Sequence, residues 1–259
     1  MSAKVGPRRA VVEILIGLVI GFAIGVTGVG GGTLTAPALI LLLGFSARAG
    51  IATALVFSAT VKIWASGIYL WRREVDFRVL GYMIAGGLPG AILGASAIQR
   101  LRGGRSDGWI LAIVGAIVAI SAASSLFRIG KPNRARSRPA LLPVFTFPIG
   151  LETGFSSAGA GALGSVVLFN LTALSPTTVV GTDLWFGMII SGLGGSIHAL
   201  AGSCDWAALA RLVPAGVVGT ILGAFVSRAL PAKILRSVAL ACATGVGILL
   251  LCKGIKEIL

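Results

Sequence analysis

The stretch Gly25-Val26-Thr27-Gly28-Val29-Gly30-Gly31-Gly32-Thr33, with Pro37 soon after it, interrupts an apolar run that extends from Val11 to Gly44. As one α-helix that run would reach about 50 Å, against a bilayer hydrocarbon core of about 30 Å. Glycine is the poorest helix former after proline, so the interruption falls where the length requires one. A helix that restarts inside a membrane presents first-turn N–H groups without intrahelical acceptors, together with the positive end of its dipole. Such an end binds anions. Gly30, Gly31 and Gly32 are candidate backbone donors to a substrate, and Thr33, with Thr35 behind it, adds a hydroxyl.

The same device recurs in Gly154-Phe155-Ser156-Ser157-Ala158-Gly159-Ala160-Gly161, inside a second over-long apolar segment at about 141 to 172. Shifting the chain by 129 positions lays residues 21 to 95 on 150 to 224 without a gap, with 20 identities in 75 positions. Composition alone would give roughly 7, so the excess is a weak internal repeat of the kind transporters carry. Paired residues include Gly21 with Gly150, Gly25 with Gly154, Gly30 with Gly159, Gly32 with Gly161, Ser46 with Ser175, Thr53 with Thr182 and Asp76 with Asp205. In the second break Ser156, Ser157 and Gly159 are the candidate anion donors, and Thr182 is a fourth in the segment that follows.

Outward from these breaks the chain reads as membrane throughout. Of 259 residues 56% are hydrophobic and 12% charged, where a soluble domain has about 25% charged residues. Eight apolar stretches fall at about 11–44, 50–71, 78–99, 108–127, 141–172, 177–201, 206–227 and 234–252. The expected fold is an all-α polytopic membrane protein of two homologous halves. Each half has about four transmembrane segments, the first broken at its Gly-rich stretch. Residues 1–259 form one transmembrane domain, with repeat 1 at about 10–127, repeat 2 at about 141–252 and a basic linker at 128–140. The 38 glycines lie in apolar runs without a collagen period, which suits close helix packing in lipid.

The net charge of +14 comes from residues that flank apolar spans. It reads as a topology signal and as contact with anionic lipid, and no interleaving of basic and aromatic residues suggests nucleic acid. Cys204, Cys242 and Cys252 form no C-x-x-C and have no histidine at ligand spacing, so neither a metal nor a disulfide framework is expected. Lys4, Arg8 and Arg9 ahead of the first apolar run look like the start of a signal peptide, but the run passes into glycines with no convincing A-x-A cleavage site and the repeat begins inside it. The segment is therefore read as retained.

Orientation rests on basic residues. The linker carries Arg128, Lys131, Arg134, Arg136 and Arg138 and no acid, which places it in the cytoplasm. If every segment crosses once, the amino terminus, the 72–78 loop and the carboxyl terminus share that side and the halves run parallel. If each broken segment enters and leaves by one face, the halves are inverted and the basic residues divide almost evenly. The charge count favours the parallel arrangement.

Inside the spans four ionisable side chains stand out: Lys62, Glu152, Asp183 and His198. Such groups cost about 2.5 to 3.5 kcal/mol each on insertion scales and face a cavity or a partner. Lys62 can bind a substrate anion or form a structural bridge to Glu152 or Asp183. Glu152 and Asp183, whose repeat partners are Ala23 and Ala54, are candidates for coupling to a proton or cation, or for a salt bridge or helix cap. His198 reads as a structural imidazole or a proton relay. Gly28-Val29-Gly30-Gly31-Gly32-Thr33 lacks the lysine of a P-loop and has no βαβ context, so no nucleotide or other cofactor is expected.

The run Gly28 to Pro37, the second-half Val180-Gly181-Thr182-Asp183-Leu184 and Gly86-Gly87-Leu88-Pro89-Gly90-Ala91 resemble the TauE/SafE family, across nearly the whole chain and both halves. The second break departs from the first, with Ser157 in the place of Gly28 and Val166 in that of Pro37. The resemblance implies a multi-pass permease of the cytoplasmic (inner) membrane for sulfite, an organosulfonate or a related sulfur-containing anion, with no organic cofactor. Bound near the midplane between the two broken segments, the anion would be the partner, with a proton or cation as coupling ion. Two other classes compete: a passive anion channel, and an intramembrane hydrolase with Ser156 or Ser157 as nucleophile and His198 as base.

Overall fold

The computed structural model describes residues 7–27, 31–100, 106–127, 138–158, 160–161, 163–226 and 232–258. They form ten α-helices: α1 (Pro7–Thr27), α2 (Gly31–Leu42), α3 (Ala47–Trp71), α4 (Phe77–Arg100), α5 (Ser106–Phe127), α6 (Leu142–Ser156), α7 (Leu163–Leu171), α8 (Pro176–Leu200), α9 (Trp206–Val226) and α10 (Ala232–Ile258), with one 3-10 turn at Pro139–Leu141. Both over-long segments are broken at the glycine-rich stretches, giving the pairs α1/α2 and α6/α7. Gly30, Gly159 and most of the basic linker, 128–137, lie outside the described residues.

Many polar side chains are buried within the apolar core, and many large apolar ones face outward, unlike a soluble protein. Thr33, Ser58, Lys62, Ser165, Asp183 and His198 are all buried, while Leu15, Val19, Ile63, Leu93, Leu222 and Leu249 are exposed. Exposed Trp71 ends α3, Trp206 begins α9 and Trp109 lies near the start of α5, at the level where indole rings sit in a membrane interface. Taken singly, α1, α3, α4 and α9 are long and apolar enough to cross a membrane.

The repeat pairs turn out to be structural devices. Ser46 and Ser175 cap α3 and α8, accepting the Ala49 and Thr178 N–H at 3.3 and 3.2 Å. Asp76 and Asp205 cap α4 and α9 through the Val79 and Ala208 N–H. Their own N–H groups cross to the other half: Asp76 donates to Thr182 Oγ1 at 3.0 Å and Asp205 to Thr53 Oγ1 at 3.1 Å. Arg73 and Gly202 turn the preceding loops through the left-handed region, at φ 56° and 71°.

Helix direction corrects one expectation. Repeat counterparts α3 and α8 pack side by side and antiparallel: Leu55 lies on Gly194, Ala59 on Gly192 and Lys62 on Gly187, and the Trp185 indole donates to the Ser66 carbonyl at 3.1 Å. Counterparts α5 and α10 do the same, with Ala112 on Gly254 and Ala119 on Gly247. Equivalent helices of a parallel repeat run the same way, so these halves are inverted. The parallel arrangement assumed that each long segment crosses once. Instead α2 turns back along α3, with Gly31 beside Ser58 and Ile40 beside Gly50. That return makes the crossings in each half odd, and the nearly even division of basic residues then gives no directional bias.

The halves also interlace. α1 packs parallel on α9, with Gly17 on Leu212, Gly21 on Gly216 and Gly25 on Thr220, and α6 packs on α4 with Gly150 on Gly87 and Gly154 on Ala91. Backbone meets backbone at these glycines, leaving no room for a Cβ, as in small-residue seams of membrane helices.

Inversion puts the 72–76 and 201–205 loops on opposite faces of the membrane. In a chain whose native cysteines are changed to serine, Arg73→Cys and Ser203→Cys should label with an impermeant maleimide from opposite sides of oriented vesicles. Labelling from one side would restore the parallel arrangement. Burial raises the Cys204 thiol above its ordinary pKa, so the native cysteine of that loop is a slow reporter.

Candidate functional site

The two breaks meet at the centre of the molecule. α2 begins at Gly31, against Ser58 Oγ and 3.1 Å, measured from a notional Cβ, from Lys62 Cε. Gly32 rests on the Ser157 carbonyl and hydroxyl, and Thr33 Oγ1 donates to the Ala158 carbonyl at 3.1 Å, so the start of α2 is tied to the second break. Across from it α7 begins at Leu163, two residues after Gly161. Two half-helix N-termini, one from each half, therefore face the interior between α3 and α8.

Lys62 lies mid-way along α3 and is 1% exposed. A Cβ on Gly187 would stand 2.5 Å from its ammonium and 3.5 Å from the Ala160 methyl. Lys62 is thus held between the start of α2 and the α8 backbone, where Gly187 leaves just the space it fills. Asp183 lies one helical turn before Gly187 on α8. Around Lys62 the hydroxyls of Ser58 and Ser157 are buried and have no hydrogen-bond partner among the described residues. Ser157 ends α6 at φ 67°, a left-handed conformation that glycine adopts more readily. Its repeat partner is Gly28. Serine here adds a hydroxyl at the centre at a backbone cost of about 1 kcal/mol.

Of the other residues expected at the site, several are engaged elsewhere. Ser156 Oγ donates to the Glu152 carbonyl at 3.0 Å and accepts the Ala158 N–H at 3.2 Å, closing the end of α6. Thr182 Oγ1 accepts the Asp76 N–H, the tie that Thr53 repeats. Asp183 is buried against the first turn of α7, where Ser165 Oγ donates to its Oδ2 at 2.5 Å and Gly164 makes room for its Oδ1. Glu152, half-buried on α6, lies one turn before the break. His198 is fully buried, with Nδ1 2.7 Å from Gln99 Nε2 and Nε2 3.2 Å from the Gly154 carbonyl. With Gln99 donating and Gly154 accepting, the ring is a neutral Nε2–H tautomer that ties α8 to α4 and α6. Both ring nitrogens are taken, so the Ser156–His198 or Ser157–His198 pair of a hydrolase is not assembled. No group of three or more metal-ligating side chains occurs among the described residues.

Sequence reasoning missed Ser58 and Gly187, which look like ordinary packing residues of apolar helices. It also missed Glu13, buried on α1, which accepts from Arg9 at 3.2 Å and from Arg211 of α9.

The comparison with known proteins completes this description. Residues 13–250 match the family described as Sulfite exporter TauE/SafE. The chain belongs to the TauE/SafE family. Two similar proteins of Bacillus subtilis (strain 168) are Probable membrane transporter protein YjnA, 27% identical over 83% of this chain and 89% of its own, and Probable membrane transporter protein YunE, 22% identical over 86% and 90%. A Probable membrane transporter protein of Xylella fastidiosa (strain Temecula1 / ATCC 700964) is 26% identical over 87% and 88%. No solved structure matches. This TauE/SafE chain is a multi-pass membrane protein of a transporter family, and the interior of its inverted repeat is where a substrate path through the TauE/SafE fold would run.

Proposed function

We propose that this protein is a secondary transporter of the cytoplasmic (inner) membrane for a small sulfur-containing anion, sulfite or an organosulfonate, bound at the centre between the two broken segments. The observation that carries the reading is the buried Lys62 ammonium at the start of α2, next to the Ser58 and Ser157 hydroxyls, which have no hydrogen-bond partner among the described residues. Fixed N–H and O–H dipoles and one cation in a low-dielectric interior match a compact oxyanion and no neutral solute of similar size. The family description supplies the sulfur class. Glu152 and Asp183 are the membrane carboxylates available for coupling to a proton or cation.

Proteoliposomes preloaded with sulfite should show saturable counterflow with external sulfite or organosulfonate, and little with chloride. Flux that does not saturate and shows no counterflow would make the protein a passive channel. Absence of exchange with every sulfur anion would overturn the substrate class. If coupling runs through the carboxylates, Glu152→Gln or Asp183→Asn removes the response of the rate to a pH gradient.

A further inference from the structure

The inverted repeat builds two half-helix N-termini, but the residues around them differ in sign. At α7 three positions combine to hold a carboxylate. Gly164 has no side chain to obstruct Asp183 Oδ1, Ser165 donates to Oδ2, and Asp183 itself reaches in from α8. The repeat counterparts of these three at α2 are Thr35, Ala36 and Ala54. All three are buried, none is acidic, and the Thr35 hydroxyl donates back to the Gly31 carbonyl within its own helix. At α2 the additions are of the other kind: Ser58, Ser157 and Lys62, whose counterparts are Gly187, Gly28 and Ser191.

We propose, on the reading of the protein as an anion carrier, that Asp183 is a built-in anion that, while ionised, fills the α7 terminus. The transported anion is then held at the α2 terminus alone, by the first-turn amides with Ser58, Ser157 and Lys62. The positive end of α7 is neutralised by a carboxylate from the same chain. The positive end of α2 has a second positive charge beside it and two buried hydroxyls with no acceptor among the described residues. Buried donors without acceptors are costly, and a bound oxyanion satisfies both and offsets the dipole. The carrier therefore takes one anion per chain despite its two-fold repeat, and Asp183 keeps a second from binding.

The test is equilibrium binding of sulfite, kept anaerobic, to the purified full-length protein by calorimetry. The wild type should bind one sulfite per chain. Transplanting the α7 arrangement, as Thr35→Gly, Ala36→Ser and Ala54→Asp together, should lower affinity about 100-fold. The same triple change with Ala54→Asn should bind within a few-fold of wild type, which separates charge from shape. Asp183→Ala should raise the stoichiometry toward two. If the triple variants do not fold, Ser58→Ala and Ser157→Ala decide the matter, each expected to weaken binding about tenfold. Wild-type affinity in Ser58→Ala and Ser157→Ala, or in the folded Ala54→Asp triple variant, would overturn the one-sided site and leave the carrier reading standing. No binding of sulfite, thiosulfate or sulfoacetate by the wild type would instead overturn the carrier reading itself.

Discussion

Lys62→Met should abolish sulfite counterflow, with kcat/KM falling about 100-fold or more, while the protein stays folded. Methionine keeps the length and apolar volume of the lysine stem, so the packing between α2 and α8 survives and only the charge leaves. A charged contact to a desolvated ligand is worth about 2 to 5 kcal/mol when one side is removed, which sets the size of the loss. Lys62→Arg should do poorly as well, because the guanidinium is larger than the space that Gly187 leaves beside the ammonium. A purely structural lysine would give a different result, with a lower melting temperature and unchanged transport in whatever folded protein remains. Initial counterflow rates and a thermal melt on the same preparation distinguish the two.

The second large effect concerns the fold. Glu13→Ala should lower stability by about 1 to 2 kcal/mol, because it takes the carboxylate away from Arg211 and Arg9 at the α1/α9 seam, where both guanidinium groups are exposed enough to regain water. The other half provides the control. The repeat counterparts of Glu13 and Arg211 are Leu142 and Tyr82, an apolar pair on the equivalent helices α6 and α4. The double change Glu13→Leu with Arg211→Tyr should therefore recover most of the loss, since an apolar pair fills the volume of the Glu13 side chain and leaves no Arg211 charge without its partner. Thermal unfolding in detergent checks both, and a double variant no better than Glu13→Ala would refute the explanation.

Much of this architecture is legible in the sequence, and the part that is not has a physical cause. Helix breaks are visible because length and glycine content conflict with a single span, and the repeat is visible as a constant offset. The sense of the repeat is not, because it depends on whether α2 continues or returns, and hydropathy is blind to direction. Within the site, Lys62 and Asp183 announce themselves as charges in apolar helices. Ser58 and Gly187 do not, since a serine or glycine in a membrane helix serves packing in most places. Glu13 and Arg211 lie within the first two turns of α1 and α9, where a charge close to a span end draws no notice. The repeat itself held an unused clue about Thr182. What both halves share, such as Ser46 and Ser175, Thr53 and Thr182 or Asp76 and Asp205, builds the scaffold twice. What they do not share, such as Lys62 with Ser191, Ser58 with Gly187 and Asp183 with Ala54, gathers at the centre.

The glycine seams also decide which pieces can move. α1 is locked to α9 and α6 to α4 by backbone contact, so each seam joins one half of the chain to the other. Rocking residues 7–127 as a block against 138–258 would tear both seams open. For a carrier of the kind proposed, the rigid bodies are therefore chimeras, one built on α1 with α9 and the other on α4 with α6. The antiparallel pair α3 and α8 lies between them as the pivot, and the sequence boundary between the halves has no mechanical meaning.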